Sequence, residues 1–147
     1  LPSLVQSVLK ETGLSPDRLE LEITEGVLIG DFPQAASILR GLKALGVKVV
    51  LDDFGTGFSS LSYLHAFPFD KIKIDRNFVA QLSDNPRALT IIRTIIGLAH
   101  GLSIPAVAEG VETEEQLAFL KQEGCDEIQG YFTGRPKVIA DYAEIVG

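Results

Sequence analysis

The stretch that decides the fold is Val49-Val50-Leu51-Asp52-Asp53-Phe54-Gly55-Thr56-Gly57-Phe58-Ser59-Ser60-Leu61. A β-branched and apolar run leads straight into two adjacent carboxylates, then into two glycines spaced around a threonine, and then into two serines. This predicts a buried strand that delivers acids to a loop at its carboxyl end. Adjacent acids there suit divalent cations, because hard ions such as magnesium take carboxylate oxygens and keep water at their remaining positions. The same residues would also make an ordinary turn rich in Asp and Gly between a strand and a helix. The rest of the chain decides between the two by what it brings to the same place.

On the N-terminal side, Leu19-Glu20-Leu21-Glu22-Ile23 alternates apolar and acidic residues with period two. This predicts a strand with its leucines and isoleucine on one face and its glutamates on the other. If both faces of the sheet are covered, the glutamate side must be a polar site. Before it, Leu1, Leu4, Val5, Val8 and Leu9 recur at helical steps, with Gly13 as the stop. Between the two strands, Asp31 is expected to cap a helix whose buried stripe is Ala35, Ile38, Leu39, Leu42 and Leu45, closed by Gly46.

On the C-terminal side the pattern continues. A short helix or turn is expected over 59–64, and a strand over 69–74 in which Ile72 and Ile74 face away from Lys73. A long helix starts at Ser83 or Asp84 and runs through Leu89, Ile92, Ile95, Ile96 and Ala99 to the region of Gly101. A strand over 105–108 then runs into Glu109. Thr113 and Gln116 form a capping box for a helix carrying Leu117 and Leu120, with Gly124 as its stop. A fifth strand is expected over 126–129 and a last helix over 136–146; no internal repeat of sequence stands out.

A helix followed by five strand-helix units implies parallel strands joined by right-handed crossovers, and so an α/β fold. A doubly wound sheet usually places a glycine-rich phosphate turn after its first strand, and residues 22–26 hold none. A (β/α) barrel instead places polar residues at the carboxyl ends of many strands. The strand ends here carry Glu22 and Glu25, Asp52 and Asp53, Lys73 and Asp75, Glu109 and Glu112, and Gln129. Any single pair could be a capping or solvated acid. Five strand ends on one rim point to a site, because a helix-covered parallel strand gains nothing from burying acids. The expectation is a TIM-like barrel, incomplete within this chain, of about five parallel strands with flanking helices.

Composition narrows the function. The chain has 147 residues, 46% of them hydrophobic, which fits one domain with a sizeable core. A net charge of -7 argues against sequence-independent binding to duplex nucleic acid. It leaves room for a small phosphorylated ligand, since bound metal ions reverse local charge. The single cysteine, Cys125, cannot make an internal disulfide, suits a reducing compartment, and is read as a small buried hydrophobe. Charges interrupt every apolar run before the roughly twenty residues that span a bilayer, and no basic-then-apolar leader opens the chain. No membrane contact is expected from this segment, and a cytoplasmic location is.

The rim residues carry a definite chemistry. Glu22, Asp52 and Asp53 could hold two divalent cations, Asp52 bridging, and such a pair about 3.5–4 Å apart activates water and neutralises an attacked phosphodiester. Lys73 could lower the pKa of the nucleophilic water or steady the charge that develops on phosphate. Glu109 could complete a metal shell or position water. Neither His65 nor His100 belongs to a Ser/His/Asp arrangement, both are read as structural, and nothing resembles a zinc cluster.

Taken in order, Glu22-Ile23-Thr24-Glu25, the stretch from Asp52 to Leu61, Lys71-Ile72-Lys73-Ile74-Asp75, Ala108-Glu109-Gly110-Val111-Glu112-Thr113 and Gln129-Gly130-Tyr131 resemble the EAL domain. That family comprises bacterial phosphodiesterases of cyclic di-GMP. The resemblance runs from about Leu19 to Pro136 and implies a TIM-like barrel that hydrolyses cyclic di-GMP to pGpG with Mg2+ or Mn2+ in a two-metal site. It implies Glu22, Asp52 and Asp53 as metal ligands, Lys73 on the water or phosphate, and Glu109 in the metal and water shell. Gln129, with Glu112 and Asp75, would complete the substrate and water shell. The loop from Phe54 to Leu61 would serve the active site and a homodimer interface, anchored by Glu25. The resemblance further implies fusion to sensory or GGDEF-type domains. Phe58 stands where tyrosine is also usual, and Thr133-Gly134 departs from the family pattern.

No Glu-Ala-Leu tripeptide occurs in the chain, nor the asparagine that the family places on its next strand. A complete barrel takes about 250 residues. Residues 1–147 are therefore read as the C-terminal part of a single EAL-type barrel domain, with about three strands on its N-terminal side. Alone, the chain is expected to be unstable and nearly inactive, needing another chain, a domain swap or those preceding strands. Two other readings stay open: a receptor domain that binds cyclic di-GMP without cutting it, and a structural half-barrel acting through protein contacts. Glu22, Asp52, Asp53, Lys73, Glu109 and Gln129 together weigh against the receptor reading.

Overall fold

A computed structural model describes residues 1–55, 64, 66–138 and 141. Helix α1 (Pro2–Thr12) leads through a 3-10 turn (Pro16–Arg18) into β1 (Glu20–Thr24), followed by α2 (Glu25–Gly30), α3 (Phe32–Ala44) and β2 (Lys48–Phe54). Then come β3 (Lys71–Ile74), α4 (Arg76–Ala80), α5 (Pro86–Gly101), β4 (Ala106–Glu109), α6 (Glu114–Gln122) and β5 (Glu127–Gln129). The strands form one parallel sheet in the order β1-β2-β3-β4-β5, so each strand pairs with its sequence neighbour, as in a barrel wall. Among the described residues no helix is long and apolar enough to cross a membrane.

Most elements follow from the local sequence. Asp31 caps α3 by accepting from Gln34 N at 3.0 Å, a contact worth about 1 kcal/mol. The Thr113/Gln116 capping box is fully formed on α6. Two expectations need correction. The long helix starts after Asn85, whose side chain accepts from Arg87 N, because Pro86 fits the first helical turn and Ser83 and Asp84 lie outside it. Short helices α2 and α4 occupy segments read only as strand ends, since six and five residues are too few to show helical periodicity. Of the short helix or turn expected over 59–64, residues 59–63 lie outside the described residues, as do 139–140 and 142–146 of the expected tail helix, while 136–138 are irregular.

The two faces of the sheet differ as the alternation demands. Val49, Leu51, Ile72, Ile74, Ala106 and Ala108 are buried against the helices together with Leu39, Leu42, Ile92, Ile96 and Ala99. The opposite face carries Glu20, Glu22, Lys48, Asp52, Lys71, Lys73, Glu109, Glu127 and Gln129. This face is concave. Lys71 Nζ on β3 reaches Glu20 Oε1 on β1 at 3.2 Å and Glu127 Oε2 on β5 at 2.9 Å. Each partner is two strands away, about 9–10 Å in a flat sheet, so only a wall curving toward a barrel lets one lysine touch both.

A repeated tertiary contact appears where no sequence repeat does. Asp70, just before β3, donates its N–H to Val49 O and accepts from Val49 N on β2, while Lys43 from the end of α3 pairs with its carboxylate at 2.5 Å. Asp126, just before β5, exchanges the same two bonds with Ala106 on β4, and His100 from the end of α5 lies 3.0 Å from it. In both, the basic side chain sits six residues before the clamped strand residue. His100 is thus structural, as expected. Cys125 is half-buried, its Sγ 3.2 Å from Glu127 O and 3.4 Å from Ala106 O, and burial pushes its thiol up to about 11.

Candidate active site

The rim at the carboxyl ends of the strands is built around an irregularity in β2. Leu51 pairs with Ile72 and Phe54 with Ile74, so Asp52 and Asp53 together stand opposite Lys73. This is a β-bulge, which kinks a strand and re-aims its side chains. Asp53 adopts φ 54, a left-handed conformation that costs a non-glycine residue about 1–2 kcal/mol and that aspartate tolerates better than most. In a regular strand two adjacent carboxylates would point to opposite faces. Here Asp52, Asp53 and Glu109 each offer an oxygen, all mutually within 4.8 Å.

Lys73 is the cationic centre of the rim. It is only 5% exposed, and its Nζ lies 2.5 Å from Glu109 Oε1, 2.7 Å from Glu22 Oε1 and 3.8 Å from Asp52 Oδ1. Burial opposes its charge, but the hydrogen bonds to Glu109 and Glu22 and the nearby Asp52 outweigh it and hold the ammonium above its ordinary value. Asp53 is pushed up, first by desolvation, then by the Asp52 charge and by a hydrogen bond with Asp75. Like charges crowded in this way are relieved by a cation. The donors are all carboxylate oxygens, the set that hard ions such as Mg2+ and Mn2+ take.

The other expected residues divide. Asp75 is buried; it caps α4 by accepting from Asn77 N at 2.7 Å and touches Asp53. Asp75, Glu112 and Gln129 line one cleft of about 500 Å³ with Asp53 and Glu109. Glu22 lies apart from the carboxylate trio and joins it through Lys73. Glu25 is buried at the start of α2, and the loop it is expected to anchor falls largely outside the described residues.

Sequence reasoning gave no role to several residues that shape this cleft. Arg76, Asn77, Gly110, Gly130 and Tyr131 also line it. Gln116, read as a helix cap, reaches further: its Oε1 accepts from Glu112 N and Thr113 N while Nε2 donates to Val79 O, tying the loop after β4 to α4. At Gly130 a Cβ would stand 2.3 Å from Val111 N and O, so the turn after β5 packs directly on backbone. Gly110 and the Gly130-Tyr131 pair stood inside quoted motifs without a role, and Arg76 and Asn77 left no sequence signal.

Comparison with known proteins gives one consistent picture. A family model described as "EAL domain" matches residues 1–136. An uncharacterized signaling protein of Caulobacter vibrioides is 61% identical over 92% of the chain, and the cyclic di-GMP phosphodiesterase NbdA of Pseudomonas aeruginosa is 42% identical over 97%. Among solved structures, the PaMucR phosphodiesterase in its c-di-GMP complex superposes with a TM-score of 0.90 at 41% identity over 93% of the chain. The manganese/cy-diGMP complex of Klebsiella pneumoniae BlrP1 gives 0.84 at 36% identity over 91%. The chain spans 17% and 18% of the two relatives and 56% and 34% of the two solved chains.

Proposed function

This chain belongs to the EAL domain family, and from that premise we propose that its parent domain is a divalent-metal phosphodiesterase that hydrolyses cyclic di-GMP to pGpG. The observation that carries the reading is the carboxylate trio of Asp52, Asp53 and Glu109 gathered by the bulge, with the ammonium of Lys73 buried beside it. Relatives whose names state cyclic di-GMP phosphodiesterase activity, and a manganese and dinucleotide complex of one solved neighbour, support the choice of substrate and ion.

In this proposal Asp52, Asp53 and Glu22 would hold divalent cations, Mg2+ or Mn2+, which would supply Lewis acidity for activating a water at the phosphodiester. Lys73 faces the phosphate oxygens, where negative charge grows as water adds to phosphorus and the bond to a ribose oxygen breaks. Glu109 orients the water through its oxygen beside Lys73. Gln129, Glu112 and Asp75 position the dinucleotide from the cleft wall. The loop after Phe54, held by Glu25, carries the homodimer contact. The protein works in the cytoplasm, joined to sensory or GGDEF-type domains.

Residues 1–147 are, in the same reading, the C-terminal part of one barrel whose remaining strands carry the Glu-Ala-Leu tripeptide and the strand-end asparagine. The two outer strands β1 and β5 each pair on one side among the described residues, consistent with a wall completed by further strands. The chain alone should therefore turn over little substrate. Product analysis of the parent protein and of residues 1–147, each with Mg2+ and cyclic di-GMP, tests this. The parent should form pGpG and the short chain next to none. Binding without cleavage by the parent would replace the enzyme with a receptor, and full turnover by the short chain would overturn its dependence on the missing strands.

A further inference from the structure

Among the described residues, the cleft beside the carboxylate trio is lined by four carboxylates, Asp53, Asp75, Glu109 and Glu112, and by one cation, Arg76. Lys73 is committed elsewhere, to Glu109 and Glu22. Arg76 is exposed, and its guanidinium has no hydrogen-bond or ion-pair partner among the described residues. That is unusual for an arginine among acids. Asp75, its neighbour in sequence, is taken up by Asn77 N and Asp53.

The stem of Arg76 is nevertheless fixed. Asp75 holds the first turn of α4. The bare backbone of Gly110 lies against the stem from the other side: a Cβ there would stand 2.7 Å from Arg76 Cβ and 3.4 Å from its Cα. Gly110 has φ 70, which also favours glycine. The side chain thus leaves a rigid base at the wall between α4 and the loop after β4, with its head group free in the cleft.

We propose that Arg76 binds the phosphate of the dinucleotide that is not being hydrolysed. The inference rests on the cyclic di-GMP reading above and adds to it. A cyclic dinucleotide carries two phosphates, and the carboxylate trio with its ions serves the one being cut. The other must enter a cleft whose wall is acidic, and it needs a cation outside the metal centre. A guanidinium offers paired donors that match two phosphate oxygens, and it stays charged at any working pH.

The test uses the parent protein. Calorimetry with cyclic di-GMP, in calcium to suppress turnover, should show Arg76→Ala weakening affinity about tenfold or more, as expected for a lost charge-assisted hydrogen bond. Arg76→Lys should recover part of the loss. Arg40→Ala, which removes an exposed charge on the outer helix α3, should stay within about twofold of wild type. In magnesium, Arg76→Ala should raise KM and leave kcat within about threefold. Arg76→Gln replaces Arg76→Ala if the latter melts at a lower temperature than wild type. Unchanged affinity, or a fall in kcat with KM intact, overturns the role of Arg76 and leaves the functional proposal standing. Failure of the wild-type parent to bind cyclic di-GMP overturns both.

Discussion

Replacing Lys73 by methionine keeps most of the unbranched apolar stem of the side chain and removes its charged amino group. Three carboxylates then lose their shared partner: Glu109 at 2.5 Å, Glu22 at 2.7 Å and Asp52 at 3.8 Å. Breaking a buried pair by deleting one partner costs about 3–5 kcal/mol. Glu22 is half exposed and regains water, so the expected loss for the metal-free parent domain at pH 7 is about 2–4 kcal/mol. The pH dependence fixes the sign. Because Lys73 is held above its ordinary 10.5 in the fold, its stabilisation is complete below 10.5 and is lost as pH rises through the folded value. Urea unfolding in EDTA should therefore show a wide gap between wild type and Lys73→Met at pH 7 that narrows at strongly alkaline pH. Magnesium should stabilise the variant more than wild type, since its carboxylates no longer share their charge with an ammonium. Equal stability at pH 7, or a gap that neither alkali nor magnesium alters, would refute the view of Lys73 as the rim's counter-ion.

Two further outcomes follow from single positions. Gly130→Ala places a methyl group 2.3 Å from the Val111 backbone and must part Val111 N from Gln129 O and Phe132 N from Val111 O. It should cost about 1–3 kcal/mol in thermal or urea unfolding, and a stability within about 0.5 kcal/mol of wild type would count against the close packing of this turn. Cys125, pushed up to about 11 from 9.0, should be alkylated by iodoacetamide at pH 8 about a hundredfold more slowly in the fold than in urea. Its share of stability is present below 9.0 and declines as pH climbs toward about 11, and equal alkylation rates in the two states would refute its burial.

Much of this molecule is legible without coordinates. The alternation in Glu20 to Thr24, the apolar run into Asp52, and the caps at Asp31 and Thr113 report local physics: side-chain period, helix-end hydrogen bonds and burial. These were enough for the parallel α/β wall and for the rim on which Glu22, Asp52, Asp53, Lys73, Glu109 and Gln129 lie. What only the tertiary structure decided is how those side chains meet. The bulge that turns Asp53 beside Asp52 depends on pairing β2 against β3, and no window of one strand reveals a register shift. The concave curvature that lets Lys71 bridge β1 and β5 depends on the whole sheet. The matched clamps of Asp70 and Asp126 join residues 21 and 20 positions apart in sequence. The place of Arg76 at the cleft wall, with Gly110 against its stem, is likewise a tertiary fact, because a lone arginine in sequence is indistinguishable from any solvated cation until its neighbours in space are known.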